Sequence, residues 1–436
     1  MPRAAGWTPV SAPPRASLLL LAYLAFVSLG LPDGLIGVGW PSIRADLGVP
    51  TEAVGLLLTA GTAGYLTSSV LAGFTLARLG VGRLLAVSTL LASLALTGYA
   101  VSPVLAVTIG CALVLGFGSG AIDSGLNAYA AGAFGPRHMN WMHAFFGLGV
   151  AIGPLVMTAV LGAGLAWRVG YALVAAAQLA LATAFALTVR AWRDGTPQAA
   201  VPAVPARGPG SADLAAAGPV AVAAGVSAVP AVTEPSGTVG VASVPVRQTL
   251  RLPVVWFGAA AFATYVAIEV AAGLWAFLLL TEGRGLAAPA AGLCVSGYWG
   301  SLFLGRVVQG LVAERLGSGR VLRGSLLGMA AGAALIALPA PAWVTAAGLF
   351  LLGFAAAPVF PLLTLTTAER VGAAHADRVI GVQIGAAGLG AALVPAGLGV
   401  LLGNTSVTLL GPALAVLALA LLALHVAASR RPVPAA

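Results

Sequence analysis

Two stretches decide how this chain folds: Gly73-Phe-Thr-Leu-Ala77-Arg78-Leu-Gly80-Val-Gly-Arg83 and Gly310-Leu-Val-Ala-Glu314-Arg315-Leu-Gly317-Ser-Gly-Arg320. The pattern Gly-x-x-x-x-Arg-x-Gly-x-x-Arg occurs in both, and every member is displaced by 237 positions. The same shift carries Leu115-Gly116-Phe117 onto Leu352-Gly353-Phe354, and His138 onto His375. One such match is unremarkable, but a set at a single offset marks an internal repeat. The chain reads as two halves in parallel orientation, related by an axis along the membrane normal.

Composition says what the halves are made of. Of 436 residues, 60% are hydrophobic and 8% charged, with a mean hydropathy of +1.02. Soluble chains carry roughly 25% charge, so this apolar surface calls for lipid. A spanning helix takes ~20 apolar residues, and lipid requires every backbone group to pair internally. Long unbroken Leu/Ala/Val/Gly runs exclude the short alternating segments of a membrane barrel. The fold class expected is an all-α membrane protein of twelve transmembrane helices in two six-helix halves. The spans are read at 16–40, 51–74, 83–101, 103–131, 139–165 and 169–190, then 251–280, 286–312, 320–338, 342–367, 379–402 and 407–428. The first continues past Gly30-Leu-Pro-Asp-Gly34 and is too long for a cleavable signal.

Orientation follows from arginine, since the 21 basic residues are all arginine. With both termini inside, seventeen face the cytoplasm, three (Arg44, Arg168, Arg284) face outside, and Arg306 lies within a span. That asymmetry obeys the positive-inside rule, so the net charge of +9 needs no nucleic-acid partner. The domain plan is an N-terminal tail (1–15), a first half (16–190), a linker (191–250), a second half (251–428) and a C-terminal tail (429–436). Residues 193–250 hold eight prolines and no aromatic beyond Trp192 at their edge, a composition that buries no core. The uncharged stretch from Leu214 to Thr233 is Ala-rich and broken by Pro219, Gly225 and Pro230, and is read as linker rather than a thirteenth span. The lack of lysine suggests a GC-rich genome and hence a bacterial plasma (inner) membrane, with the chain multi-pass and monomeric.

The repeated loop resembles the signature of the major facilitator superfamily, and the likeness covers the chain outside linker and tails. The resemblance implies the major facilitator fold and a conformational role for Gly73, Arg78, Gly80, Arg83, Gly310, Glu314, Arg315, Gly317 and Arg320. Glu314 keeps the acid that the family places before the first arginine, whereas Ala77 replaces it in the first copy.

Three of the twelve acids fall inside spans: Asp33, Asp123 and Glu269. An ionisable group at that depth costs ~2.5–3.5 kcal/mol on insertion scales and is a functional candidate by default. Asp33 sits between Pro32 and Gly34, where regular helix is expected to break. Glu269 lies 236 residues later, close to the repeat offset, and is expected to face Asp33 across a central cavity. Tyr265 is one turn before Glu269 on the same face. Asp123 and Asn127 share a face of span four; Asn140 and His143 share a face of span five. This set is similar to the fucose permease branch of the superfamily, with His143 where that branch more often has glutamine. His143 is the histidine expected to matter, because an unperturbed imidazole titrates near neutrality. His138 and His375 are read as solvated loop ends and His425 as inert. Trp275 joins the expected substrate site if Gly273 bends its helix.

The expected assignment is Asp33 and Glu269 for proton coupling, with Asp123, Asn127, Asn140, His143, Tyr265 and Trp275 for substrate. The function expected is secondary active transport of a small polar solute, sugar- or polyol-like, coupled to protons through alternating access. Alternatives are a proton-driven exporter of drugs or secondary metabolites and, more remotely, a transport-dead sensor. No metal spacing, cofactor motif or nucleophile–base set is present, Cys111 and Cys294 are isolated, and a lysine-dependent phosphate loop is impossible. An enzyme is not expected.

Overall fold

The structure, a computed structural model, describes residues 16–192 and 246–429. The tails, the bulk of the linker and the Leu214–Thr233 stretch lie outside the described residues. Within them every regular element is helical. The first half holds α1 (Ala16–Leu47), α2 (Val54–Leu79), α3 (Val81–Val101), α4 (Leu105–Ala133), α5 (Gly135–Gly162) and α6 (Trp167–Thr188). A short α7 (Val246–Leu250) leads into α8 (Pro253–Leu278), α9 (Ala288–Leu316), α10 (Ser318–Ala337), α11 (Ala342–Ala356), α12 (Val359–Leu365), α13 (Thr367–Val371), α14 (Ala373–Asn404) and α15 (Leu410–Ser429).

Eleven helical stretches among the described residues are long and apolar enough to cross a membrane. α9, where an eighth span is expected, is 29 residues long but is not among the eleven. The break between α11 and α12 falls at Pro358, which lacks the amide needed to continue the ladder. α1 runs to Leu47, beyond the expected end near Trp40, because Arg44 and Asp46 are polar but still helical.

The repeat is visible in backbone as well as in sequence. Gly80 between α2 and α3 has φ 70°, and Gly317 between α9 and α10 has φ 80°. Both positions carry extended ψ, a combination open essentially to glycine. Helix pairing repeats too: α1 packs on α5 as α8 packs on α14, and α2 on α4 as α9 on α11. Across the halves α5 meets α9, and α2 meets α14.

α1 corrects the expected break at Pro32. The helix is continuous through Gly30, Pro32 and Gly34. A Cβ at Gly34 would fall 2.9 Å from the Gly153 Cα, and one at Gly30 would fall 2.7 Å from the Val150 amide nitrogen. These glycines bring α1 and α5 into backbone contact, the small-residue packing that lipid favours.

Leu20, Val70, Phe74, Leu94, Leu187, Val416 and Leu419 are exposed on the outer surface. In water so much apolar surface would drive association. Arg44, Arg168 and Arg284 gather at the end that carries the α1–α2 turn. Arg168 pairs with Asp46, and Arg44 donates to Glu282 of the other half at 3.1 Å. His138 and His375, expected to be solvated, are both tied down. His138 Nδ1 lies 2.7 Å from the Tyr23 hydroxyl, and His375 Nδ1 lies 2.8 Å from Thr249 Oγ1 in α7.

Candidate functional site

Inside the first half, residues of α1 to α6 line a cavity of about 80 Å³. Close helix approach creates it. Gly64 of α2 lies against α4, where a Cβ would meet the Phe117 amide nitrogen at 2.8 Å. With backbones this near, the side chains of α2 and α4 can reach one another over a short span. The cavity lining contains Asp33, Asp123, His143, Tyr65, Tyr99 and Tyr171, with Phe26 and Phe146.

Asp123 is 3% exposed and has a donor at each oxygen. Tyr65 Oη donates to Oδ2 at 2.6 Å, and Asn127 Nδ2 donates to Oδ1 at 3.0 Å. The second bond is the i, i+4 relationship expected from sequence. The first comes from α2, 58 residues away, and no local spacing marks it. Two donors to one carboxylate satisfy a group that would otherwise be costly to bury.

His143 is likewise 3% exposed, and its ring meets Phe26 edge-on at 5.0 Å between centroids. Its Nε2 is buried without a hydrogen-bond partner among the described residues. The Tyr171 hydroxyl is in the same condition, and its ring stacks on Tyr99 at 4.9 Å. A cavity polar at Asp33, Asp123, His143 and Tyr171 and aromatic elsewhere can hydrogen-bond a small polar ligand and stack a flat one.

Glu269 does not line this cavity. It lies 1% exposed in the second half, with Arg306 Nη2 of α9 at 3.8 Å from its Oε1. The expected symmetric pairing of Asp33 and Glu269 across one cavity is not what the structure places there. Asp33 lines the first-half cavity, whereas Glu269 belongs to an ion pair. Tyr265, one turn away, is fully buried beside it, and Tyr298 Oη donates to the Glu269 carbonyl at 2.8 Å. Arg306 also reaches the first half: its Nη1 would lie 3.8 Å from a Cβ built on Gly147 of α5. Gly147 is one turn from His143, so the ion pair abuts the helix that carries the cavity's imidazole.

Trp275 does not line this cavity. Its indole nitrogen donates to the Pro395 carbonyl at 3.1 Å, and its ring packs at the position of Gly399. It fastens α8 to α14 instead of facing the cavity. The side chains of Asn140, Glu314 and Arg315, and Gly310, lie outside the described residues. Of the remaining loop residues, Arg78 lies over the Phe74 ring at 4.1 Å, and Arg83 and Arg320 are exposed. Among the described residues no group of three or more His, Cys, Asp or Glu is arranged to hold a metal.

The family model described as Major Facilitator Superfamily matches residues 22–395 and again 258–436. Among solved structures, a point mutant of the nucleoside transporter NupG superposes with a TM-score of 0.70 at 13% identity, covering 94% of this chain and 100% of that one. A bacterial homologue of the human lysosomal transporter Spinster, inward-facing and unoccupied, gives 0.65 at 14%, covering 98% and 100%. At such identities the likeness concerns the fold.

Proposed function

The chain belongs to the Major Facilitator Superfamily, and from that membership we propose that it moves a small polar solute, sugar- or polyol-like, by proton-coupled alternating access. The observation that carries this reading is the buried cavity in which Asp33, Asp123 and His143 meet aromatic walls. Asp123, with both oxygens already held by Tyr65 and Asn127, is a fixed acceptor for substrate hydroxyls. Asp33 is the carboxylate that takes a proton on one side of the membrane and releases it on the other. The Arg306–Glu269 pair supplies a charged contact that the second half presents to α5 beside His143.

The topology that goes with this reading has twelve spans, α9 being the eighth, and both termini in the cytoplasm of a bacterial cell. Seventeen arginines on one side against three on the other support it.

A second reading draws on the same lining, which holds two carboxylates and no arginine among the described residues. That chemistry also suits an amphiphilic cation carried outward in exchange for protons. Proteoliposomes with an imposed pH gradient distinguish the two, using a panel of sugars, polyols, nucleosides and amphiphilic cations. Inward accumulation of a neutral polar solute supports the proposal. Outward flux of cations alone replaces it with the exporter.

A further inference from the structure

At the end of the second half near the chain terminus, α10, α13 and α15 line another cavity, open to the surface and of about 610 Å³. It is far in sequence from the carboxylate site and has the opposite electrostatic character. Arg323, Arg370 and His425 converge on it, and Glu369 is the one carboxylate among its described lining residues. His425 is 8% exposed, and Arg370 Nη2 lies 3.4 Å from its Nδ1. Arg323 Nε is spent on the Gly319 carbonyl of its own helix at 3.2 Å, which anchors the side chain with its guanidinium at the cavity.

The rest of the wall is apolar, with Leu322, Leu327, Leu422 and Val426. Leu327 is 58% and Val426 39% exposed, so the cavity borders the surface that faces lipid. A cationic floor joined to an apolar, membrane-facing wall is the chemistry of an amphiphile with an anionic head. Basic pockets between spanning helices recognise such head groups, and guanidinium groups suit phosphate oxygens.

We propose that this cavity binds the phosphate of an anionic phospholipid, with the acyl chains lying along Leu327 and Val426. The phosphate chemistry alone would also admit a free phosphate ion; the apolar wall selects the lipid.

The test uses the purified full-length chain in neutral detergent, titrated with phosphatidylglycerol, with phosphatidylcholine, or with inorganic phosphate. Phosphatidylglycerol is expected to bind saturably and raise the unfolding temperature, while phosphatidylcholine leaves it unchanged. Arg323→Gln is expected to weaken the apparent affinity about fivefold, the worth of one basic contact at a membrane surface. Arg370→Gln should do at least as much; should that variant not fold, the more exposed Arg323 still carries the test. Arg251→Gln, outside the cavity, should bind as the unaltered chain does. Equal responses to the two lipids overturn the proposal, as does an equal loss in Arg251→Gln. If inorganic phosphate alone reproduces the shift, the site reads a free anion and the lipid assignment falls.

Discussion

Arg306 of α9 and Glu269 of α8 stand 3.8 Å apart with only 11% and 1% of their side chains exposed. The pair is buried, and breaking such a pair leaves a charge uncompensated, at a cost of about 3–5 kcal/mol. Replacing both members by apolar groups is often neutral or stabilising. Arg306→Met is therefore expected to lower the unfolding free energy in detergent by that amount, and Arg306→Met with Glu269→Leu to recover most of it. A double variant no more stable than the single one shows that Glu269 is held chiefly by other groups.

Tyr65 offers a different test, because its hydroxyl donates to Asp123 at 2.6 Å. Tyr65→Phe removes one hydrogen bond to a buried carboxyl, costing about 1–3 kcal/mol of stability. If Asp123 binds substrate, its loosened carboxylate should raise KM more than it lowers kcat. Stability lost with KM unchanged would assign the Tyr65–Asp123 pair to structure alone.

Much of the architecture was legible because lipid makes helix the cheapest answer to a long apolar run, and because the repeat was written twice. Asp123 and Asn127 were legible as a pair because four residues is one helical turn. What failed were tertiary relationships. Tyr65, Tyr99 and Tyr171 come from three helices and carry no common spacing, so nothing local marked them as a lining. Glu269 lay within one residue of the repeat position of Asp33, yet its partner proved to be Arg306 on the next long helix. Trp275 has the side chain of a sugar platform but spends its indole nitrogen on Pro395. Gly30, Pro32 and Gly34 read as a broken helix, whereas in the bundle the same small residues admit α5.

The orientation can be checked without knowing the substrate. A reporter fused at Pro205 and a second fused at the C-terminus are both expected on the cytoplasmic side, since an even number of spans separates the N-terminus from each. Opposite sides would mean that the stretch from Leu214 to Thr233 crosses the bilayer. Deleting about residues 200–240 is expected to leave folding and transport intact, as an Ala/Pro/Gly-rich segment offers little to pack.

The two cavity carboxylates are given different duties, and kinetics can separate them. Accumulation against a gradient needs a group that alternates between charged and neutral forms, whereas exchange of substrate for substrate does not. Asparagine preserves the size of aspartate and much of its hydrogen bonding but does not titrate. Asp33→Asn is therefore expected to abolish uptake driven by a pH gradient in proteoliposomes while counterflow continues at a rate within about threefold of the unaltered protein, the loss of one modest hydrogen bond. Asp123 is already held at both oxygens by Tyr65 and Asn127. Asp123→Asn removes one acceptor, and its new amide donor is met only if the Tyr65 hydroxyl turns from donor to acceptor, so binding should weaken and both assays should fall together. Should Asp33→Asn still concentrate substrate, the coupling proton is carried elsewhere. Glu269 is then the next group to test, because protonating it would release Arg306 toward α5.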